Sequence, residues 1–239
     1  MSVPIDWAGV LTGEPAHWLL EGLSVTLVVT VVSSAGATIF AVLLTAMRLS
    51  SAKPIRWLAL GVVSALRNTP LLVQLLVWYF VGFGMLPAGL KSWLVAEHPW
   101  AVLPGNISML APEFLAAAWG LSLFSGVFLS EEIRAGLNAI PRGQREAAAS
   151  QGLSSWDALA SVLLPQALRN ARQPIVGQYL NLMKLTSIAC SIGLAEITYQ
   201  ARVIESFNSH AFEAFAAGTI LYLALGFVLE RLLLLGGRS

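Results

Sequence analysis

Charge is what this 239-residue chain has least of. Asp, Glu, Lys and Arg make up 11% of it, against 56% hydrophobic residues and a mean hydropathy of +0.73. Soluble domains carry about 25% charged residues. The shortfall excludes an ordinary soluble domain and predicts an integral membrane protein. The net charge of +1 says nothing about partners, and nucleic acid is not expected among them. Cysteine is nearly absent too: Cys190 stands alone, which excludes an intrachain disulfide. The N-terminus, MSVPIDWAGVLTGEPAHWLLEGL, lacks a basic region followed by an apolar core, so it is not read as a cleaved signal peptide. Its Trp7 and Trp18 suit an interfacial segment, where an indole sits half wet. His17, His98 and His210 are scattered without metal-ligand spacing, so no metal is expected. No GxxxxGK[ST] loop is present to cradle nucleotide phosphates, which argues against ATP hydrolysis by this chain. No HExxH, serine elbow or paired intramembrane aspartates supports an intramembrane enzyme.

What the chain does have is long apolar runs. A spanning helix needs about 20 such residues. Five candidates lie at about 22–47, 68–90, 112–133, 173–195 and 214–231. The expected fold class is all-α, a single transmembrane domain over 1–239 with five helices. An odd number of spans puts the termini on opposite sides. Basic residues mark the cytoplasmic side. One set of loops and ends carries Arg48, Lys53, Arg56, Arg67, Arg134, Arg142, Arg145, Arg169, Arg172, Arg231 and Arg238. The opposite set carries only Lys91 and Arg202. The predicted topology is therefore N-terminus outside and C-terminus cytoplasmic. No internal repeat is visible. A self-contained secondary transporter or channel usually carries one, so that alternative requires dimerisation to supply the symmetry.

A polar island, PRGQREAAASQGLSSWDALASVLLP, interrupts the oil at about 141–165 on the cytoplasmic side. EAAASQ is a run of helix formers. Gly152 suits a left-handed helix end. Ser154 with Asp157 fits a capping box in which Asp replaces Glu. Trp156, Leu159 and Val162 then recur at helical spacing, and Pro165 is expected to stop the second helix. By spacing alone this is either an ordinary re-entry loop or a docking element.

The residues carry a resemblance. Glu146-Ala147-Ala148, three residues, Gly152, nine residues, Val162, one residue, Leu164-Pro165 resembles the EAA loop of ATP-binding-cassette importer permeases, with Val162 where isoleucine is more usual. RNTPLLVQ (Arg67–Gln74), EEIRAGLNAIPRGQ (Glu131–Gln144), LPQALRN (Leu164–Asn170) and NLMKLTS (Asn181–Ser187) are similar to polar amino-acid permeases of that family. The likeness runs from about Leu19 to Leu235 and is greatest toward glutamate/aspartate permeases. Phe128, where some relatives carry a basic residue, bears on acidic selectivity. The resemblance implies the type I importer permease fold in a bacterial inner membrane. It implies half of a translocation pathway for a polar amino acid. The implied partners are an ATPase dimer, a second permease subunit (homologue or identical copy), an extracytoplasmic or periplasmic amino-acid-binding protein and membrane lipid. ATP and Mg would be bound by the partner ATPase, leaving this chain without a cofactor. The implied coupling residues are Arg142, Gln144, Glu146, Ala147, Ala148, Gly152, Leu164 and Pro165.

One charge falls inside a span. A lysine at the bilayer centre costs about 2.5–3.5 kcal/mol on insertion scales, so Lys184 needs a partner or a wet pathway. Gln178, Asn181, Lys184 and Ser187 form a drifting polar stripe at i, i+3, i+6 and i+9. Gln74, Ser122 and Ser125 are candidates to face it. The stripe either lines a route for a polar solute or clamps helices together. Arg67 is expected to snorkel at the membrane edge, and Glu131 and Arg134 to pair at i, i+3.

Overall fold

The computed structural model describes residues 5–104 and 107–235; Arg238, one of the basic residues counted above, lies outside them. A short α1 (Ala8–Leu11) precedes α2 (Gly13–Leu49), which at 37 residues is about 55 Å long. That exceeds the roughly 30 Å hydrocarbon core, so the helix extends well beyond the apolar run predicted for it. Helix α3 (Lys53–Arg67) follows, then α4 (Leu71–Leu76) continuing through a π turn over Val77–Gly82. A connection holds α5 (Ala88–Val95) and a two-residue antiparallel ribbon, β1 (Val102–Leu103) with β2 (Ile107–Ser108), in register Val102↔Ser108. The central helix is α6 (Pro112–Asn138).

The polar island becomes α7 (Arg142–Ser150), α8 (Ser155–Asp157), a π turn over Ala158–Leu163 and α9 (Leu164–Asn170). Next comes α10 (Arg172–Leu185), which tightens into a 3₁₀ turn over Thr186–Ile192. Helices α11 (Ile197–Asn208) and α12 (Ala211–Leu235) complete the described residues.

Three helices, α2, α6 and α12, are each long and apolar enough to cross a membrane. Two further candidates are broken. Helix α3 and the α4 segment meet at 104°, and the α10 segment and α11 meet at 48°. The sequence explains the first break. Pro70 offers no N–H to the turn before it and disfavours helical geometry at Thr69; Asn68 ends α3 with φ −92° and ψ 1°, and Pro70 leaves with ψ 138°. The second predicted run thus starts at a bend, and the stretch before it folds back as an amphipathic helix.

Helix α6 is packed on most sides, with Leu121, Val127, Leu129 and Leu137 buried against α2 and its neighbours. Helices α2 and α12 instead expose large apolar side chains, among them Val31, Ile39, Ile220, Leu223 and Phe227. In water such surface would be costly; in lipid it is at rest. At the end of the bundle away from α7, α1 is tied down by the Asp6 N–H donating to Glu213 Oε1 (2.7 Å) and Asn208 Nδ2 donating to the Gly9 carbonyl (2.8 Å). His210 sits between Asp6 (3.8 Å) and Glu213 (3.7 Å), more enclosed than its sequence context suggested.

Candidate functional site

The first site is the exposed end formed by α7 and α8. The Ser154 side chain accepts from the Asp157 N–H at 3.2 Å and its hydroxyl donates to Asp157 Oδ2 at 2.5 Å, so the cap forms with aspartate in the acidic role. Gly152 adopts φ +77° with no atom within 4 Å of where a Cβ would stand. Glycine is therefore demanded by the backbone conformation and not by crowding. Gly152 N–H donates to the Ala149 carbonyl and Leu153 N–H to the Ala148 carbonyl, closing the end of α7.

The first turn of α7 is tethered from both sides. Arg145 donates to the Leu137 carbonyl (3.2 Å) at the end of α6, and Gln166 donates to Gln144 (3.3 Å). Ala148 is buried, while Arg142, Glu146, Ala147 and Gly152 are exposed. Leu164 is half-buried and Pro165 exposed. Helix α9 crosses α6 so closely that a Cβ on Gly136 would stand 2.3 Å from the Ala167 carbonyl oxygen. The result is a rigid mount presenting one exposed helix.

Pro165 does not end the second helix. The chain stays helical to Asn170. A proline in a helix lacks an N–H and clashes with the carbonyl four residues back. The wider π turn over Ala158–Leu163 removes that conflict and lets the helix pass.

The second site surrounds Lys184. It is exposed on α10, and among the described residues its ammonium has no hydrogen-bond or ion-pair partner. With Ser187 it lines a cavity of about 340 Å³, whose other polar walls are Thr198, Thr219 and Tyr222. Behind this cavity lies Glu196, fully buried at the bend between α10 and α11. It accepts from the Tyr199 N–H (2.9 Å), which caps α11, and from the Tyr222 hydroxyl. The predicted span of about 173–195 stops one residue short of Glu196; a glutamate flanked by apolar Ala195 and Ile197 was the available signal. Thr219 and Tyr222, polar at i, i+3 in an apolar run, were a further one.

The remaining stripe residues are dispersed. Asn181 is exposed elsewhere on α10, and Gln178 donates to Glu132 at 3.3 Å. Gln74 is buried at the 104° bend, donating to the Leu66 (2.8 Å) and Thr69 (3.0 Å) carbonyls. Ser122 is buried on α6, donating to Ala118 O (2.6 Å) and Ser33 O (3.3 Å), and Ser125 is buried one turn further on. The structure thus brings Lys184 and Ser187 together with residues of α11 and α12. It does not bring Gln74, Ser122 or Ser125 to that cavity.

A third cluster centres on Glu131. It pairs with Arg134 (2.9 Å) as expected, and also with Arg48 (2.5 Å) and Arg67 (3.9 Å). Arg67 stays about half exposed, at the rim of this cluster, with its guanidinium 5.8 Å above the Phe128 ring.

Comparison with known proteins identifies the family. Residues 37–235 match the family described as binding-protein-dependent transport system inner membrane component. The chain belongs to this family. Among relatives, it is similar to the glutamate/aspartate import permease protein GltJ of Escherichia coli, 31% identical over 94% of this chain and 90% of that one. The arginine transport system permease protein ArtQ of Bacillus subtilis is 32% identical over 94% and 92%. The probable glutamine permease GlnM of the same organism is 32% identical over 86% and 85%. Among solved structures, the crystal structure of an amino acid ABC transporter with histidines aligns over 100% of this chain and 99% of that chain, with a TM-score of 0.75 and 28% identity. An inward-facing conformation of the MetNI methionine ABC transporter shares the fold, with a TM-score of 0.65 at 19% identity. As a member of this family the chain is a multi-pass membrane protein.

Proposed function

We propose that this chain is the permease subunit of an ATP-driven importer of polar amino acids. Its five spans, two of them bent, cross a bacterial inner membrane with the N-terminus outside and the C-terminus in the cytoplasm. The observation that carries the reading is the exposed α7 helix on a braced mount, beside a family match that covers most of the chain. A partner ATPase dimer grips α7 around Glu146, binds ATP and Mg, and moves α6 and α9 through the Arg145 and Gln166 tethers. A second permease subunit completes the pathway, and a binding protein delivers the cargo.

Lys184 and Ser187 line the cargo's route, with Thr198, Thr219 and Tyr222 as the wall. Glutamate/aspartate, glutamine and arginine permeases are matched at nearly the same identity. That spread supports polar amino acids as a class, with glutamate or aspartate as the first to test.

The test is ATPase activity of the reconstituted complex, with the binding protein and a panel of amino acids. Stimulation by one of them is expected. Replacing Glu146 and Gly152 together should abolish ATP-coupled uptake in a normally assembled complex. Uptake at the original rate in that variant sinks the coupling role.

A further inference from the structure

Helices α2, α3 and α6 enclose a cavity of about 240 Å³ whose lining includes Thr45, Arg48, Arg56, Leu60, Arg134 and Asn138. Three arginines point at one small space. Among the described residues the only carboxylate bonded to any of them is Glu131, and it is shared among Arg48, Arg134 and Arg67. Four arginines therefore stand against one carboxylate. Among the described residues Arg56 has no hydrogen-bond or ion-pair partner, and it is exposed. Glu132, the adjacent acid, is turned to Gln178. The uncompensated positive charge calls for an anion.

Helix α3 indicates which anion. Its inner face buries Ala59 and Val63 against Leu44 and Val127. Its outer face exposes Ile55, Trp57 and Leu58, with Trp57 at 69%. With Lys53 and Arg56 in its first turn, Arg67 in its last, and exposed aliphatic and indole groups between them, α3 has the composition of a helix lying in a membrane interface. A phospholipid whose phosphate sits among the arginines would lay its acyl chains along that exposed surface. Basic pockets between spanning helices on the cytoplasmic side hold anionic headgroups.

We propose that this cavity binds the phosphate of an anionic phospholipid of the inner leaflet. The leaflet assignment rests on the orientation given under Proposed function; the lipid contact itself does not require transport activity.

The test is native mass spectrometry of the purified complex, with phosphatidylglycerol or phosphatidylcholine added at equal concentration. Phosphatidylglycerol should be retained and phosphatidylcholine not. Each arginine removed should weaken retention about fivefold, so Arg56→Gln lowers it about fivefold and Arg56→Gln with Arg134→Gln about 25-fold. Arg56→Lys should keep most of it, since a point charge still meets the phosphate. Arg169→Gln removes an exposed charge outside the cavity and should change nothing. Equal retention of both lipids overturns the proposal, as does unchanged retention in Arg56→Gln or an equal loss in Arg169→Gln. Displacement of the lipid by inorganic phosphate at millimolar concentration would make this a free-anion site and overturn the lipid assignment. Because lipid mass is the readout, a complex that fails to couple ATP to uptake still decides the question.

Discussion

Lys184 is a single charge held in an apolar helix, and its surroundings decide what it does. An ammonium in hydrocarbon seeks a partner, and among the described residues none is supplied. Instead it opens onto a cavity lined by four hydroxyl-bearing side chains, Ser187, Thr198, Thr219 and Tyr222. Removing the charge should therefore relieve the membrane-embedded helix and harm the pathway. Lys184→Met is expected to leave thermal stability equal or higher while lowering amino-acid uptake in proteoliposomes at least about tenfold, a change of about 1.4 kcal/mol in the barrier. Transport at normal affinity and rate in this variant would remove Lys184 from the route. Glu196 illustrates the opposite case. It is also a membrane-embedded ionisable group, but its carboxylate is occupied by Tyr199 N–H and Tyr222, so it fixes the bend and the cavity wall.

At the scale of elements, the junction of α6 with α9 is where the mount meets the bundle. Gly136 lets the two backbones approach, and any side chain there meets the Ala167 carbonyl. Overpacking of this kind costs about 1–3 kcal/mol. Gly136→Val should lower the melting temperature of the assembled complex and loosen α7, read as faster amide hydrogen exchange over residues 142–150. A variant with unchanged exchange there would show that α7 is held by its side-chain tethers alone.

The same elements show how far local sequence could be read. Ser154–Asp157 and Gly152 were legible because capping and left-handed turns depend on a few adjacent residues. Pro165 misled, since the π turn that accommodates it depends on how the helix packs at both ends. RNTPLLVQ was legible as a motif, yet its Gln74 serves the bend: an amide aimed at two carbonyls eight and five residues back is a consequence of the 104° fold-back.

At the scale of the whole molecule, the proposed orientation makes a direct prediction. With Cys190 replaced by serine, a single cysteine at Ala149 should react with a membrane-impermeant maleimide only in inverted vesicles or permeabilised cells. One placed at Glu97, in the connection before α6, should react in intact cells. Labelling of the Ala149 position from outside would invert the topology.

Composition alone determined that this chain belongs in a membrane, because 11% charge cannot cover the surface of a soluble domain. The placement of eleven basic residues set the expected direction, and the Glu146–Pro165 spacing set the family. These are properties of single residues and short spacings, and they survive without knowledge of the fold. Which polar residues meet was decided only by tertiary structure. The stripe Gln178–Asn181–Lys184–Ser187 divides because the chain bends by 48° between Ile192 and Ile197, which sets residues of α11 and α12 against Lys184 and Ser187, while Gln178 meets Glu132 of α6. Arg48, Arg67 and Glu131 lie far apart in the chain: Arg48 meets Glu131 because α2 packs along α6, and Arg67 joins them because α3 folds back on both. Contacts of that kind depend on helix bends and crossing points, and periodicity within one helix does not encode them.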